Sequence, residues 1–161
     1  MNPAPSIRAV DPLGAEALAL LAQAAVEARA LYPELFTADR PPPSNAPLGE
    51  GEVYLVACDD GAVPVACGAL RRLDATTAEL RRMFVAAHAR RRGLARAMLA
   101  ALEQSAVDRG YETLLLETGH RQQPAMALYE SCGFTRVAAF GAYVGDPTSV
   151  CHAKRLMAAR G

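Results

Sequence analysis

The stretch RRRGLARAML, Arg90 to Leu99, sets three consecutive arginines against a single glycine just where a helical pattern begins. A helix start carries backbone N–H groups without intrahelical partners and the positive end of the helix dipole, so an anion is stabilised there. Small residues at Gly93 and Ala95 allow a phosphate to approach the backbone, and arginines before the helix add charge-assisted hydrogen bonds to its oxygens. These residue types at this spacing suit a diphosphate cradle. A Walker loop is excluded because no lysine precedes Lys154, and a three-glycine dinucleotide fingerprint is excluded because this stretch holds only Gly93. Taken alone, the six residues from Arg90 fit equally a solvated basic cap or a nucleic-acid patch.

Other residues with chemical potential are scattered. Cys58, Cys67, Cys132 and Cys151 form no CxxC pair and have no histidines at ligand spacing, so they read as reduced thiols, with neither a metal site nor a disulfide framework expected. His88, His120 and His152 share no spacing and read as loop or surface residues. Cys151 and His152 are adjacent on a predicted strand, where side chains point to opposite faces, which disfavours a nucleophile pair. Arg71, Arg72, Arg81 and Arg82 either receive an anionic acceptor or solvate a strand edge.

The elements that must position these residues follow from hydrophobic period and turn signals. The 161 residues make one domain over 1–161, and 17 basic against 17 acidic side chains argue against bulk nucleic-acid binding. Ser6 to Val10 reads as a strand, Asp11-Pro12 as a helix start and Leu13 to Leu31 as a helix. The Pro- and Gly-rich segment that follows is too long for mere wiring and reads as a substrate loop or lid. Val53 to Cys58, an Asp60-Gly61 turn, Val63 to Leu73 and Thr77 to Val85 form an antiparallel meander. In RRMFV the apolar alternation of the third strand fails, as at a β-bulge or at a strand end buried on both faces. Gly93 to Arg109 is an amphipathic helix with Leu94, Met98 and Leu102 on one face and Arg96 and Glu103 away from it. Leu114 to Thr118 is an apolar strand covered on both faces, Pro124 to Cys132 a short helix, and two strands flank Gly145-Asp146-Pro147. No apolar run is long enough to span a bilayer and the N-terminus shows no leader pattern, so no membrane association and a cytoplasmic location are expected.

Strand, RRRGLA, helix, strand and then QQPAMALYESCGF together resemble the GCN5-related N-acetyltransferases from about Val53 onward. The first family motif corresponds to Arg90, Gly93 and Ala95, and the second, NxxAxxLYxxxGF, to Ala125, Leu128, Tyr129, Gly133 and Phe134, with Gln122 where many relatives have Asn. The resemblance implies an α+β fold with a mixed, mostly antiparallel sheet of about seven strands and four helices. It also implies acetyl-CoA as acyl donor, no metal, and an amine as acceptor. The cofactor-binding residues it implies are Met83, Phe84 and Val85 on the strand before the motif and Arg90, Arg91, Arg92, Gly93, Leu94, Ala95 and Arg96 in the cradle. Thr118, Gln122, Ala125 and Leu128 complete the set beyond it. Glu79, fourteen positions before Gly93, takes the place of a general base acting directly or through water, and Tyr129 that of the acid protonating the leaving thiolate. An unpaired backbone N–H on the fourth strand would polarise the thioester carbonyl.

Residue reading leaves alternatives at both candidates: Glu79 as a strand residue paired with Arg81 or Arg71, and Tyr129 as a core tyrosine. A non-catalytic acyl-CoA sensor would need the cradle but neither of them. A nucleic-acid binder is disfavoured by five Tyr, four Phe and no Trp, none placed as a stacking platform. The closing segment resembles that of a bacterial subgroup of small-molecule acetyltransferases, with protein lysine or N-terminal acceptors as the alternative. A homodimer is compatible with the family.

Overall fold

A computed structural model describes residues 5–157. Seven strands form one sheet: β1 (Ser6–Ala9), β2 (Val53–Cys58), β3 (Pro64–Arg72), β4 (Thr77–Val85), β5 (Thr113–Gly119), β6 (Thr135–Val137) and β7 (Ser149–Arg155). Their order across the sheet is β1-β2-β3-β4-β5-β7-β6, and β4 with β5 is the parallel pair. A parallel pair requires a crossover. Here α2 (Leu94–Asp108) supplies it, while α1 (Ala15–Leu31) lies between β1 and β2 and α3 (Gln123–Ser131) between β5 and β6. The described residues thus hold three α-helices where four were expected; Pro33–Leu35, Ala87–Ala89 and Gly141–Tyr143 form only single 3-10 turns.

One face of the sheet packs Leu55, Leu70, Leu80, Leu114 and Leu116 against Met98 and Leu102 of α2 and Tyr129 of α3. The other packs Tyr54, Val56 and Cys67 beneath Ala17 and Leu20 of α1. Burial on both faces falls on β2, every residue of which is buried, and not on β5 as its apolar sequence suggests. α1 packs over β3 and β4, so on β5 only Leu114, Leu116 and Thr118 are fully buried while Leu115 and Glu117 are half-buried.

Local signals shifted slightly in use. Asp11 closes a turn before α1 instead of capping it: its Oδ1 accepts from the Leu13 N–H at 2.9 Å, its carbonyl from Gly14 N–H at 3.0 Å, and Gly14 is the N-cap. In the β2–β3 turn it is Ala62, not Gly61, that takes positive φ (60°), with Asp59 Oδ1 accepting from the N–H groups of Gly61 and Val63. Among the described residues no helix is long and apolar enough to cross a membrane.

Candidate active site

The site is built around the end of β4. β3 and β4 pair in register from Arg72↔Ala78 to Ala69↔Arg81 and again at Cys67↔Phe84, so Gly68 faces two residues, Arg82 and Met83. Arg82 takes φ 61°, a left-handed conformation costly for a side-chain-bearing residue and typical of strain held at a working site. This is the β-bulge that the broken alternation of RRMFV permits. Its effect is a change of phase: Ala78 and Leu80 before it, and Met83 and Val85 after it, all face the α2 core, while Phe84 turns to the α1 side. Gly68 tolerates this because a Cβ there would come within 2.5 Å of Leu102 Cδ1 and 2.9 Å of Met83 Sδ.

Past the bulge the sheet opens. β4 and β5 pair from Thr77↔Thr113 to Leu80↔Leu116, and residues 81–85 and 117–119 run on without pairing to one another. A cleft of about 340 Å³ occupies this region on the α2 side. Met83, Phe84 and Val85 form one wall, and Ala125, Leu128 and Tyr129 of α3 the other. Arg90, Arg91, Gly93, Leu94, Ala95 and Arg96 close its outer end, and Ala89 and Pro124 line it as well, two residues that no sequence signal marked. Of the residues assigned to the cofactor, Arg92, Thr118 and Gln122 lie outside the lining.

The helix start is built as its sequence requires. Gly93 is the N-cap in a left-handed conformation (φ 77°), no side chain caps the helix, and the first intrahelical bond runs from Ala97 N–H to the Gly93 carbonyl at 3.0 Å. The N–H groups of Leu94, Ala95 and Arg96 are therefore left for an external acceptor. A Cβ at Gly93 meets nothing within 4 Å, so the backbone is open to close approach from the cleft. These features fit a diphosphate.

The arginines divide their work. Arg90 Nε donates to the Val85 carbonyl at 3.1 Å, its guanidinium pairs with Glu27 of α1 at 2.5 Å, and it lies over the Phe84 ring at 5.8 Å. It clamps the end of β4 to α1. Arg96 donates to Ser131 Oγ at 2.8 Å and so links α2 to α3; Glu103, also expected away from the core, accepts from Lys154 Nζ of β7 at 2.7 Å. Arg91, with φ 66°, remains on the rim of the cleft. Thr118 Oγ1 donates to Gln122 Oε1 at 2.7 Å, which orients the amide that stands in the Asn position.

Tyr129 is 7% exposed, stacks edge-on against Phe134 at 5.7 Å, and lies at the inner end of the cleft. Burial pushes its phenol up, so it stays protonated. Glu79 lies on the opposite face of the sheet. It is 3% exposed, and neither Arg71, its neighbour across the register, nor Arg81 is its partner: Tyr143 Oη donates to Glu79 Oε2 at 2.6 Å. Beside it Glu117 of β5 accepts from Ser149 Oγ at 2.6 Å, and its carboxyl is raised chiefly by burial. Tyr143 gave no sequence signal; Glu117 gave one, as the only charge within the apolar run of β5. Arg82 holds the α1–β2 connection against the bulge, donating to Asn45 Oδ1 at 3.1 Å and the Ser44 carbonyl at 2.8 Å.

Other features fall outside the site. A larger hollow of about 640 Å³ lies within the α1–β2 connection, walled by that segment and Arg29, and holds none of the residues above. His152, expected at a loop or surface, is fully buried on β7 with Nε2 3.3 Å from Glu130 of α3.

Comparison with known proteins agrees with this geometry. Residues 21–134 match the family described as Acetyltransferase (GNAT) family. The chain is 38% identical over 107 residues to the Bacillus subtilis N-acetyltransferase YsnE, itself uncharacterized, covering 65% of this chain and 71% of that one. A Klebsiella pneumoniae crystal structure described as an acyl-CoA N-acyltransferase superposes with a TM-score of 0.78 at 32% identity, over 95% of this chain and 98% of that one. A GNAT acetyltransferase from Elizabethkingia anophelis, solved with acetyl-CoA bound, shares the fold at TM-score 0.68 and 16% identity, over 94% and 98% of the two chains.

Proposed function

This chain belongs to the GNAT family of acetyltransferases and is an acyl-CoA-dependent N-acyltransferase, and from that premise we propose that it moves the acetyl group of acetyl-CoA to a primary amine of a small molecule. The observation that carries this reading is the course of the cleft, from the unpaired N–H groups of α2 to Tyr129 beside the β4 bulge. In it the α2 N-terminus and the rim arginines bind the diphosphate, and Met83, Val85, Ala125 and Leu128 exclude water from the arm between phosphate and thioester. Thr118 and Gln122 orient the start of α3. Backbone freed at the bulge donates to the thioester oxygen, and Tyr129 supplies a proton to the departing sulfur.

The acceptor enters from the α1 side of the sheet, where Glu79 and Glu117 lie. A primary amine is almost wholly protonated near neutral pH, its reference pKa being about 10.4, so a group on this face has to take a proton before attack. Glu79 contributes to that step through an intervening group, as its burial and its bond to Tyr143 require.

Thermal unfolding with and without acetyl-CoA tests the donor. At 100 times its Kd a ligand of the native state adds about 2.7 kcal/mol, which for a domain of this size raises Tm by roughly 5–11 °C. Thiol release on adding ethanolamine, spermidine, L-lysine or a dipeptide with a free N-terminus tests the acceptor. Absence of any thermal shift at millimolar acetyl-CoA refutes the donor assignment; thiol release with a lysine-containing protein but none of the small amines refutes the small-molecule assignment.

A further inference from the structure

We infer that Glu117 is the catalytic carboxylate that takes the proton from the acceptor's ammonium group, and that Glu79 acts through it as a positioning residue. The inference rests on the transferase reading above and names the group at that site which touches the acceptor nitrogen.

The paired part of β4 and β5 ends at Leu80↔Leu116, and Glu117 is the next residue, standing where the two strands part. Leu114, Leu116 and Thr118 point to the α2 core, so by strand alternation Glu117 points to the acceptor face. Glu79 is in register with Leu115, one side-chain row deeper in the closed part of the sheet. Glu79 is 3% exposed with Oε2 held by Tyr143, whereas Glu117 is half-buried, its Oε2 held by Ser149 and its Oε1 without a hydrogen-bond donor among the described residues. A carboxylate fixed by one oxygen and reachable at the other is what direct proton transfer requires.

The surroundings suit the task. Facing Glu117 are Glu79 and Arg81 from β4, Tyr143 and Asp146 from the segment between β6 and β7, and Ser149 and Cys151 from β7. Burial raises its carboxyl, the charges of Asp146 and Glu79 add to the rise, and the Ser149 hydroxyl and Arg81 oppose it. A carboxylate made more basic in this way accepts an ammonium proton more readily than one in water. Tyr143, itself pushed up by burial and by Glu79, keeps its proton and so stays a donor to Glu79.

In the step, Glu117 Oε1 takes one proton from the ammonium, and the freed nitrogen lone pair forms the bond to the acetyl carbonyl carbon. The carbon–sulfur bond breaks with its electron pair on sulfur, which takes a proton from Tyr129. The nitrogen's second surplus proton passes to solvent, and Glu117 and Tyr129 recover their starting states by exchange with solvent.

The test is the pH dependence of kcat at saturating acetyl-CoA and saturating amine from the panel above, read by thiol release on the full chain. The base works only when deprotonated, so kcat falls as pH drops through the Glu117 pKa, above the ordinary carboxylate range. Glu117→Gln is expected to lower kcat near neutrality by roughly 10²–10⁴ and to abolish that acid limb while keeping the acetyl-CoA thermal shift. Glu117→Asp keeps the limb at reduced rate. Glu79→Gln keeps the limb but moves it to lower pH, because it removes a negative charge that raises Glu117. Wild-type thiol release tests the transferase reading and the comparison of variants tests Glu117, so either can fail alone. A Glu117→Gln protein that retains the wild-type limb, or a Glu79→Gln protein that loses it, overturns the inference.

Discussion

Replacing Gly68 with Ala tests whether the β4 bulge and the cleft are held by close packing across β3. Gly68 does not sit at positive φ, so alanine is allowed by the backbone and would gain about 0.4–1 kcal/mol by restricting the unfolded chain. Against this, its Cβ would lie 2.5 Å from Leu102 Cδ1, 2.9 Å from Met83 Sδ and 3.2 Å from Met98 Cγ. Leu102 and Met98 are fully buried and cannot withdraw without disturbing the core, and such overpacking costs about 1–3 kcal/mol. From the middle of each range, about 2 less about 0.7, the net loss is about 1.3 kcal/mol, which lowers Tm by roughly 3–5 °C in a domain of this size. Met83 is the neighbour with room to move, and it moves toward the cleft it lines, so KM for acetyl-CoA rises more than kcat falls. Calorimetry together with steady-state kinetics reads both quantities. An unchanged or higher Tm for Gly68→Ala would mean that the bulge does not depend on the missing side chain, and the packing argument fails.

Arg90→Ala removes an ion pair whose side chains are 46% and 42% exposed, so stability falls by no more than about 1 kcal/mol, while KM for acetyl-CoA rises roughly tenfold with kcat retained. A loss confined to kcat contradicts a role in forming the cleft. Tyr129→Phe lowers kcat at all pH values without recovery in alkali, because the task proposed for it is to protonate the thiolate and high pH does not relieve that demand. A near-normal Tyr129→Phe rate means that the thiolate leaves unprotonated or takes its proton from water.

The sequence by itself determined the order of strands and helices from Val53 to Gly133 and the open helix start at Gly93. Those signals lie between neighbours along the chain: apolar period, turn residues, and Gly93 and Ala95 at a helix N-terminus. It also marked RRMFV as irregular, since a lost alternation is local, but left a bulge and a strand end buried on both faces as equal readings. Beyond the β2–β3–β4 meander, it left open the pairings across elements. That Arg90 turns back to Glu27, 63 residues away, that Tyr143 rather than an arginine meets Glu79, 64 residues away, and that Ser149 holds Glu117 all depend on which strands adjoin and in what register. Gly68 is in the same position: nothing around it in β3 marks it, and its necessity comes from the α2 and β4 side chains packed above it. The covering of β2 on both faces and of β5 on one was likewise set by where α1 comes to rest, because burial is a property of the packed layers and an apolar run alone does not say how many of its faces another layer will reach.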